Sequence, residues 1–381
     1  MRYLVVLALA FLSLGMVRSA WADDGGRLLS IDHFVGVQST VPAISGQTTQ
    51  IYVREVTLSA TVTRGAARAD RVVLFVHGAG VPGEVAFDVP FQDYSWMAYL
   101  ARAGFDVFAM DFTGYGNSTR PNAMNDPCNL SPKQQSGFAP GIIPNVCSPS
   151  YPRAMTTIAS DWNDLAMVVE HVLALRHIDQ ISIIGWSMGG PRVGGYAAQH
   201  PEKVRKLVLL APAYTRGTAE QPPVPLPAEG PAMNIQSHDE FIADSDRQAG
   251  CPGQLDPAVR DAVWSAMLES DPVGATWGTG VRRAPHVFPS TNWGWTQSAV
   301  AKTDIPTLMV TGELDKVVPS SKVRDLYADL GTKKKVIIEL ACSSHPAMWE
   351  RNHLVLFRAS LEWLVGGTVN GLEQGALHLG N

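Results

Sequence analysis

The chain has 381 residues, 46% of them hydrophobic and 17% charged, enough to bury a sizeable core and ordinary for a globular protein. The formal net charge is -5, with Lys and Arg scattered rather than clustered, which excludes the electrostatic footprint of a nucleic-acid partner. One large domain with an insertion fits better than two independent domains.

The first 22 residues read as an export signal. Arg2 supplies positive charge, residues 4–17 form a short apolar stretch, and Ala20-Trp21-Ala22 spells a small-x-small cleavage site. Cleavage after Ala22 leaves a mature chain beginning at Asp23, in the periplasm or outside the cell. The stretch is about 14 residues, short of the ~20 that span a bilayer. No later stretch is long and apolar enough to cross a membrane, so no span is expected in the mature chain. Export lets disulfides persist, and the four cysteines are expected to pair as Cys128–Cys147, within one loop, and Cys251–Cys342, over long range. Free buried thiols are the alternative.

Residues 28–64 alternate polar and apolar side chains, predicting antiparallel strands at a sheet edge. The run 71–76 is apolar and β-branched, as a strand buried on both faces requires, and it ends in His77-Gly78-Ala79-Gly80. A helix over 94–103 leads to a second buried strand, 105–110. Residues 121–152 are dense in Pro, Asn, Ser and Gly and show neither period; they read as an ordered surface excursion. Helical spacing returns over 158–175, where Leu165, Val168, Val169, Val172 and Leu175 recur at three- and four-residue steps. A third buried strand at 181–184, a helix ending near "QHPEKV" and a fourth strand at 207–210 follow.

A long insertion, 213–300, then interrupts the pattern. Strands at 306–310 and 335–340 alternate with helices at 320–330 and 348–364, and 366–381 is left as a tail. Alternating strands and helices imply a mostly parallel sheet with helices on both faces, and an active site beyond the C-terminal strand ends. The fold class is α/β. Its core is split into 23–212 and 301–365.

Four candidate groups directly follow buried strands: His77-Gly78, Ser187, Asp315 and His345. In "IIGWSMGG" the strand turns sharply into a helix at Ser187, and Gly185 and Gly189 leave room for a strained turn. The amide of Met188, at the helix N-terminus, is then a natural donor to an oxyanion. A serine that merely caps the helix is the plainer alternative. A hydroxyl is a poor nucleophile until a base removes its proton, so a histidine and an orienting carboxylate are needed. His345 and Asp315 fill those roles, with His353 and Glu313 as lesser candidates; His33, His171, His177 and His200 are less suited. The glycine-rich loop offers the amide of Ala79 as second oxyanion donor, with Gly80 next in line, while His77 reads as a structural residue.

These segments, "VLFVHGAG", "DFTGYGNS", "IIGWSMGG", "GELDKVVP" and "SSHPAMWE", occur in the order and spacing of a known family. Over residues 45–365 the chain resembles the α/β-hydrolases, in the lid-bearing branch of esterases, lipases, lactonases and proline-type aminopeptidases. The resemblance implies a central sheet, a lid at 213–300, and Ser187, Asp315 and His345 as nucleophile, acid and base. A serine at the nucleophile position sets it apart from the branches that open epoxides or remove halides with an aspartate. Two features depart from the family: the long excursion at 121–152, and a Cys251–Cys342 bridge that would restrain lid opening.

The reading is therefore an exported serine hydrolase acting on a small-molecule or oligomeric carboxylic ester of hydrophobic or aromatic character, through an acyl-enzyme intermediate and with no metal or organic cofactor required. Trp264, Trp277, Phe288, Trp293 and Trp295 either wall a hydrophobic or aromatic acyl pocket or anchor the lid. Three rivals stand beside it: a lactonase, a binding protein without catalysis, and an amide hydrolase of the aminopeptidase kind. The last needs an acidic group for a free amine, offered by Glu220, Asp239, Glu240, Asp244 or Asp246.

Overall fold

The computed structural model describes residues 26–63, 68–138, 141–217, 225–289 and 295–380. The expected export signal at 1–22 lies outside the described residues, as do Glu220 and Trp293. In chain order the strands are β1 (Leu28–Gln38), β2 (Thr48–Leu58), β3 (Val72–Val76), β4 (Asp106–Met110), β5 (Thr156–Thr157), β6 (Ile181–Trp186) and β7 (Val204–Leu210). They continue with β8 (Met233–Ser237), β9 (Val281–Pro285), β10 (Val287–Phe288), β11 (Thr307–Gly312), β12 (Lys335–Leu340) and β13 (Gln374–Leu379). Among the described residues nine strands share one sheet, ordered β1-β2-β4-β3-β6-β7-β11-β12-β13. Pairs β1–β2 and β2–β4 are antiparallel, and the rest of the sheet is parallel.

The unbroken apolar runs have a simple cause. Successive side chains of a strand point to opposite faces, so a strand covered on both sides needs apolar residues at every position. Val73 and Phe75 enter one core with Ile184, Val208 and Leu210. Val72, Leu74 and Val76 enter the other with Ile183, Leu207 and Leu209. The expected helix at 158–175 forms as Ile158–Arg176, capped by Thr157 and Ser160 in a reciprocal pair of hydrogen bonds. Leu165, Val168, Val169 and Val172 pack against the sheet, whereas Leu175, expected on the same face, is exposed near the helix end.

Two further expectations at the C-terminal end are corrected. The helix expected at 348–364 is two pieces, a single turn at Ala347–Trp349 and a helix at His353–Gly366. The break is held by Trp349, whose indole donates to the carbonyl of Ala86, and by the Glu350 carboxylate, which is drawn back to Ser344. The tail at 366–381 contains β13, which pairs in parallel with β12 and extends the sheet.

The excursion at 121–152 is built from single turns around a buried glutamine. The Gln135 amide nitrogen donates to the carbonyls of Cys128, Leu130 and Cys147, and its oxygen accepts from the amide of Cys147. Cys128 and Cys147 are paired, as are Cys251 and Cys342, with Cα–Cα separations of 5.3 and 5.8 Å. The second bridge ties the segment between β7 and β11 to the loop that carries His345. That segment contains helices His238–Gln248 and Pro257–Glu269 and the antiparallel pair β8–β9. Its last helix, Gln297–Lys302, crosses the expected boundary at 300. Met124, Leu130 and Met155 pack on Met233, Trp277 and Val281, so the excursion and this segment share a core of their own. Among the described residues no helix is long and apolar enough to cross a membrane.

Candidate active site

Ser187 sits where β6 turns into the Gly189–Gln199 helix, at φ 57, in the left-handed region that an L residue adopts only under constraint. The constraint is visible. Its amide donates to the Leu210 carbonyl at 2.9 Å, and its own carbonyl accepts from Gly190 at 2.9 Å and Ala213 at 3.0 Å. A Cβ on Gly185 would come within 2.7 Å of the Gly189 carbonyl oxygen, and one on Gly189 would collide with that of Val76. The turn therefore exists only with glycine on both sides of the serine.

The loops after β11 and β12 bring the other two groups to it. His345 Nε2 lies 2.9 Å from Ser187 Oγ, and its Nδ1 lies 2.9 Å from Asp315 Oδ2. The second oxygen of Asp315 accepts from the amides of Val317 and Val318, each at 2.8 Å, which fixes the carboxylate plane. His345 and Asp315 are both buried. Glu313 is turned away and accepts from the amide of Cys342. His353 stacks on Tyr94, with ring centroids 3.9 Å apart, and reaches Asp93.

Ala79 and Met188 line a cavity of about 350 Å³ shared with Gly80, Tyr115, Asn234 and Arg282. Neither the Ala79 nor the Met188 amide donates to another group among the described residues. Larger grooves of about 800 and 770 Å³ lie elsewhere, one beside Arg54 and Glu84, the other beside Trp162 and Lys302. Ser187, His345 and Asp315 line none of the three; the 350 Å³ cavity meets the site through Ala79 and Met188.

His77, at the end of β3, is buried, and its two nitrogens take complementary roles. Nδ1 lies 2.7 Å from the Gly78 carbonyl, and Nε2 accepts from the amide of Phe112 at 3.2 Å. Only the neutral ring can make both bonds. Burial, and then the nearby positive charge of Arg192, push its pKa well below the usual imidazole value.

Supporting residues surround these groups, and of them Arg192 and Gln248 carry no signal in the sequence. Arg192, fully buried on the helix after Ser187, donates Nη1 to the carbonyls of His77 and Gly78 at 2.9 and 3.0 Å, and Nε to Asp161 at 2.7 Å. It fastens the glycine loop by its carbonyls. Trp186 donates its indole N–H to the His345 carbonyl at 3.0 Å and lies edge-on to Trp349. Gln248, on the His238–Gln248 helix, accepts from the His345 amide at 3.2 Å.

The described aromatic residues of the 213–300 segment do not line the cavity. Trp264 stacks on Phe241, Trp277 meets Phe138, and Trp295 packs on Tyr214 over Gly194. Of the two roles open to them, their contacts serve anchoring. Phe288 is half-buried in β10, which pairs with β5.

Comparison with known proteins adds the following. A family model described as serine aminopeptidase, S33, matches residues 67–352. The AB hydrolase superfamily protein YisY of Bacillus subtilis (strain 168) is 23% identical over 299 residues, covering 75% of this chain and 88% of its own. A meta-cleavage product hydrolase from Pseudomonas fluorescens IP01 superposes with a TM-score of 0.53 at 14% identity, over 88% of this chain and 99% of that one. A thermophilic esterase from Thermogutta terrifontis superposes at 0.50 and 15% identity, over the same shares. At such identities the solved structures share the fold with this chain.

Proposed function

The chain belongs to the α/β-hydrolase superfamily, in the family described as serine aminopeptidase, S33, and on that premise we propose that it cleaves carboxylic esters through Ser187, His345 and Asp315. The observation that carries this reading is the strained Ser187, 2.9 Å from a histidine whose other nitrogen is 2.9 Å from a held carboxylate.

The chemistry follows from the positions. As Ser187 Oγ bonds to the ester carbonyl carbon, His345 Nε2 takes its proton, and Asp315 accepts from Nδ1–H and stabilises the imidazolium. The carbonyl π electrons move to oxygen, where the amides of Ala79 and Met188 donate to the oxyanion. Collapse of the tetrahedral species breaks the bond to the alcohol, which leaves with the proton from His345. Water then adds to the acyl-serine, giving its proton to His345, and a second collapse returns that proton to Ser187 Oγ and releases the acid. No metal or organic cofactor enters these steps.

The segment 213–300 acts in this reading as a lid, held at one end by Cys251–Cys342. The two disulfides support export. An ester fits better than a peptide with a free amine, because the described acidic residues of this segment are engaged or outside the cavity. Asp244 holds Gln236, Asp246 holds Arg260, and Glu240 caps its own helix; Asp239 is exposed. The charged group that does line the cavity is an arginine.

A panel of p-nitrophenyl esters of increasing acyl length, run beside aminoacyl p-nitroanilides, tests the assignment. Turnover of the esters is expected, fastest for short acyl groups that fit the cavity. Turnover of the anilides alone would overturn it.

A further inference from the structure

Four arginines lie around the site, and three of them have a carboxylate partner, Asp271 for Arg120 and Arg283 and Asp161 for Arg192. Arg192 is held by Asp161 and two carbonyls, as described above. Arg283 pairs with Asp271 at 2.6 Å and donates to Asn125 and the Met124 carbonyl. Arg120 donates to the carbonyls of Gly114, Gly116 and Ser270.

Arg282 is different. Its Nε donates to Gln236 Oε1 at 3.1 Å, while neither Nη atom donates to any group among the described residues. No carboxylate lies within ion-pair distance of it there, although its chain neighbour Arg283 has one. Burial lowers its pKa, but a guanidinium stays protonated at any ordinary pH. Glu240 acts on it only from beyond contact distance, so the half-buried guanidinium keeps its two Nη atoms free for a carboxylate that reaches them.

The geometry says where that partner sits. Antiparallel pairing of β8 with β9 places Gln236 opposite Arg282. The Gln236 amide nitrogen donates to Asp244, which turns the amide oxygen toward Arg282 Nε. With Nε engaged, the two Nη atoms form the free edge, and that edge lies against Gly80. At φ 85 and without a Cβ, Gly80 leaves the guanidinium room that any other residue would fill. Gly80 adjoins Ala79, and both share a cavity with Arg282 and with Met188, the residue after Ser187. The remaining polar groups at this cavity, Tyr115, Asn234 and His286, carry no counter-charge for it.

Resting on the ester-hydrolase reading above, we infer that Arg282 receives a carboxylate of the substrate, so that the preferred substrates are anionic esters whose carboxylate lies a few bonds from the scissile carbonyl. The planar pair of Nη donors suits the two oxygens of a carboxylate, a match that a lysine ammonium does not offer. Ala79 and Arg282 then hold the two ends of one small acyl group, and its orientation toward Ser187 is set at both.

The test compares p-nitrophenyl hydrogen glutarate with the neutral p-nitrophenyl pentanoate, on the full-length wild type and on Arg282→Met and Arg282→Lys. The wild type should favour the anionic ester about 10–100-fold in kcat/KM, chiefly through KM, as a charge-assisted pair provides. That ratio should collapse toward one in Arg282→Met and survive in part in Arg282→Lys. If Arg282→Met does not fold, the wild-type ratio alone decides. Hydrolysis of both esters with no preference for the anionic one, or a preference that persists in Arg282→Met, overturns the inference and leaves the hydrolase reading standing. Turnover of neither ester removes both.

Discussion

The two walls of the cavity are built on opposite plans. The sheet side, which reaches the cavity through Ala79 and Met188, is held throughout: behind them Ser187, His345, Asp315, His77 and Arg192 each bond to named neighbours, and the strained turn is pinned by three backbone hydrogen bonds. The wall formed by β8 and β9 is open, with Arg282 presenting two unengaged nitrogens to the same space. Chemistry common to all substrates needs preorganised groups that do not move when charge develops. Recognition of one substrate needs a group whose partner is the substrate itself. The held side is suited to the first task and the open wall to the second.

Breaking the held side should have the largest effects. Ser187→Ala should lower kcat/KM on a good ester by about 10⁴-fold or more, and Asp315→Asn by about 10⁴-fold, with the fold intact by circular dichroism. A residual activity within tenfold of wild type in either variant would remove that residue from the chemistry. Arg192→Met leaves Asp161 buried without its counter-charge, and a loss of about 3–5 kcal/mol in urea unfolding is expected. A loss below about 1 kcal/mol would show that the loop does not depend on it.

The open wall hangs on fewer attachments. Replacing Cys251 and Cys342 together by serine should cost about 2–4 kcal/mol of stability and raise KM more than it lowers kcat. Equal KM values in the two proteins would mean that the bridge does not position the segment between β7 and β11. The smallest effect is one of pH. The folded pKa of His77 is depressed, so its contribution to stability is complete above the unfolded value of about 6.5 and declines as pH falls below it. Between pH 7.5 and 5 the unfolding free energy of the wild type should therefore fall more steeply than that of His77→Asn, by up to about 1.4 kcal/mol per pH unit. Parallel profiles would mean that His77 does titrate within the fold.

The same contrast explains what could be read from the sequence. The central strands were legible because burial on both faces forces an apolar residue at every position, as at Val72–Val76. The Ser187 turn was legible because close backbone approach demands glycines at fixed offsets. β13 was not, since an edge strand alternates half-buried and exposed residues, and "QGALHL" carries a glycine and two polar side chains. Arg282 was silent for another reason. Its orientation depends on pairing with Gln236 across a long stretch of chain, and nothing local distinguishes it from Arg283, which is fully satisfied. Arg192 was hidden in the same way, in a glycine-rich helix whose period gives no hint of the carbonyls beneath it.

The most direct measurement is labelling by a serine-directed fluorophosphonate, followed by intact mass and peptide mapping, on the wild type and on His345→Ala. One adduct per chain, located on Ser187 and formed at least 10³-fold more slowly in the variant, is the expected result. No adduct, an adduct on another serine, or an equal rate in the variant would contradict the assignment of Ser187 as a nucleophile activated by His345.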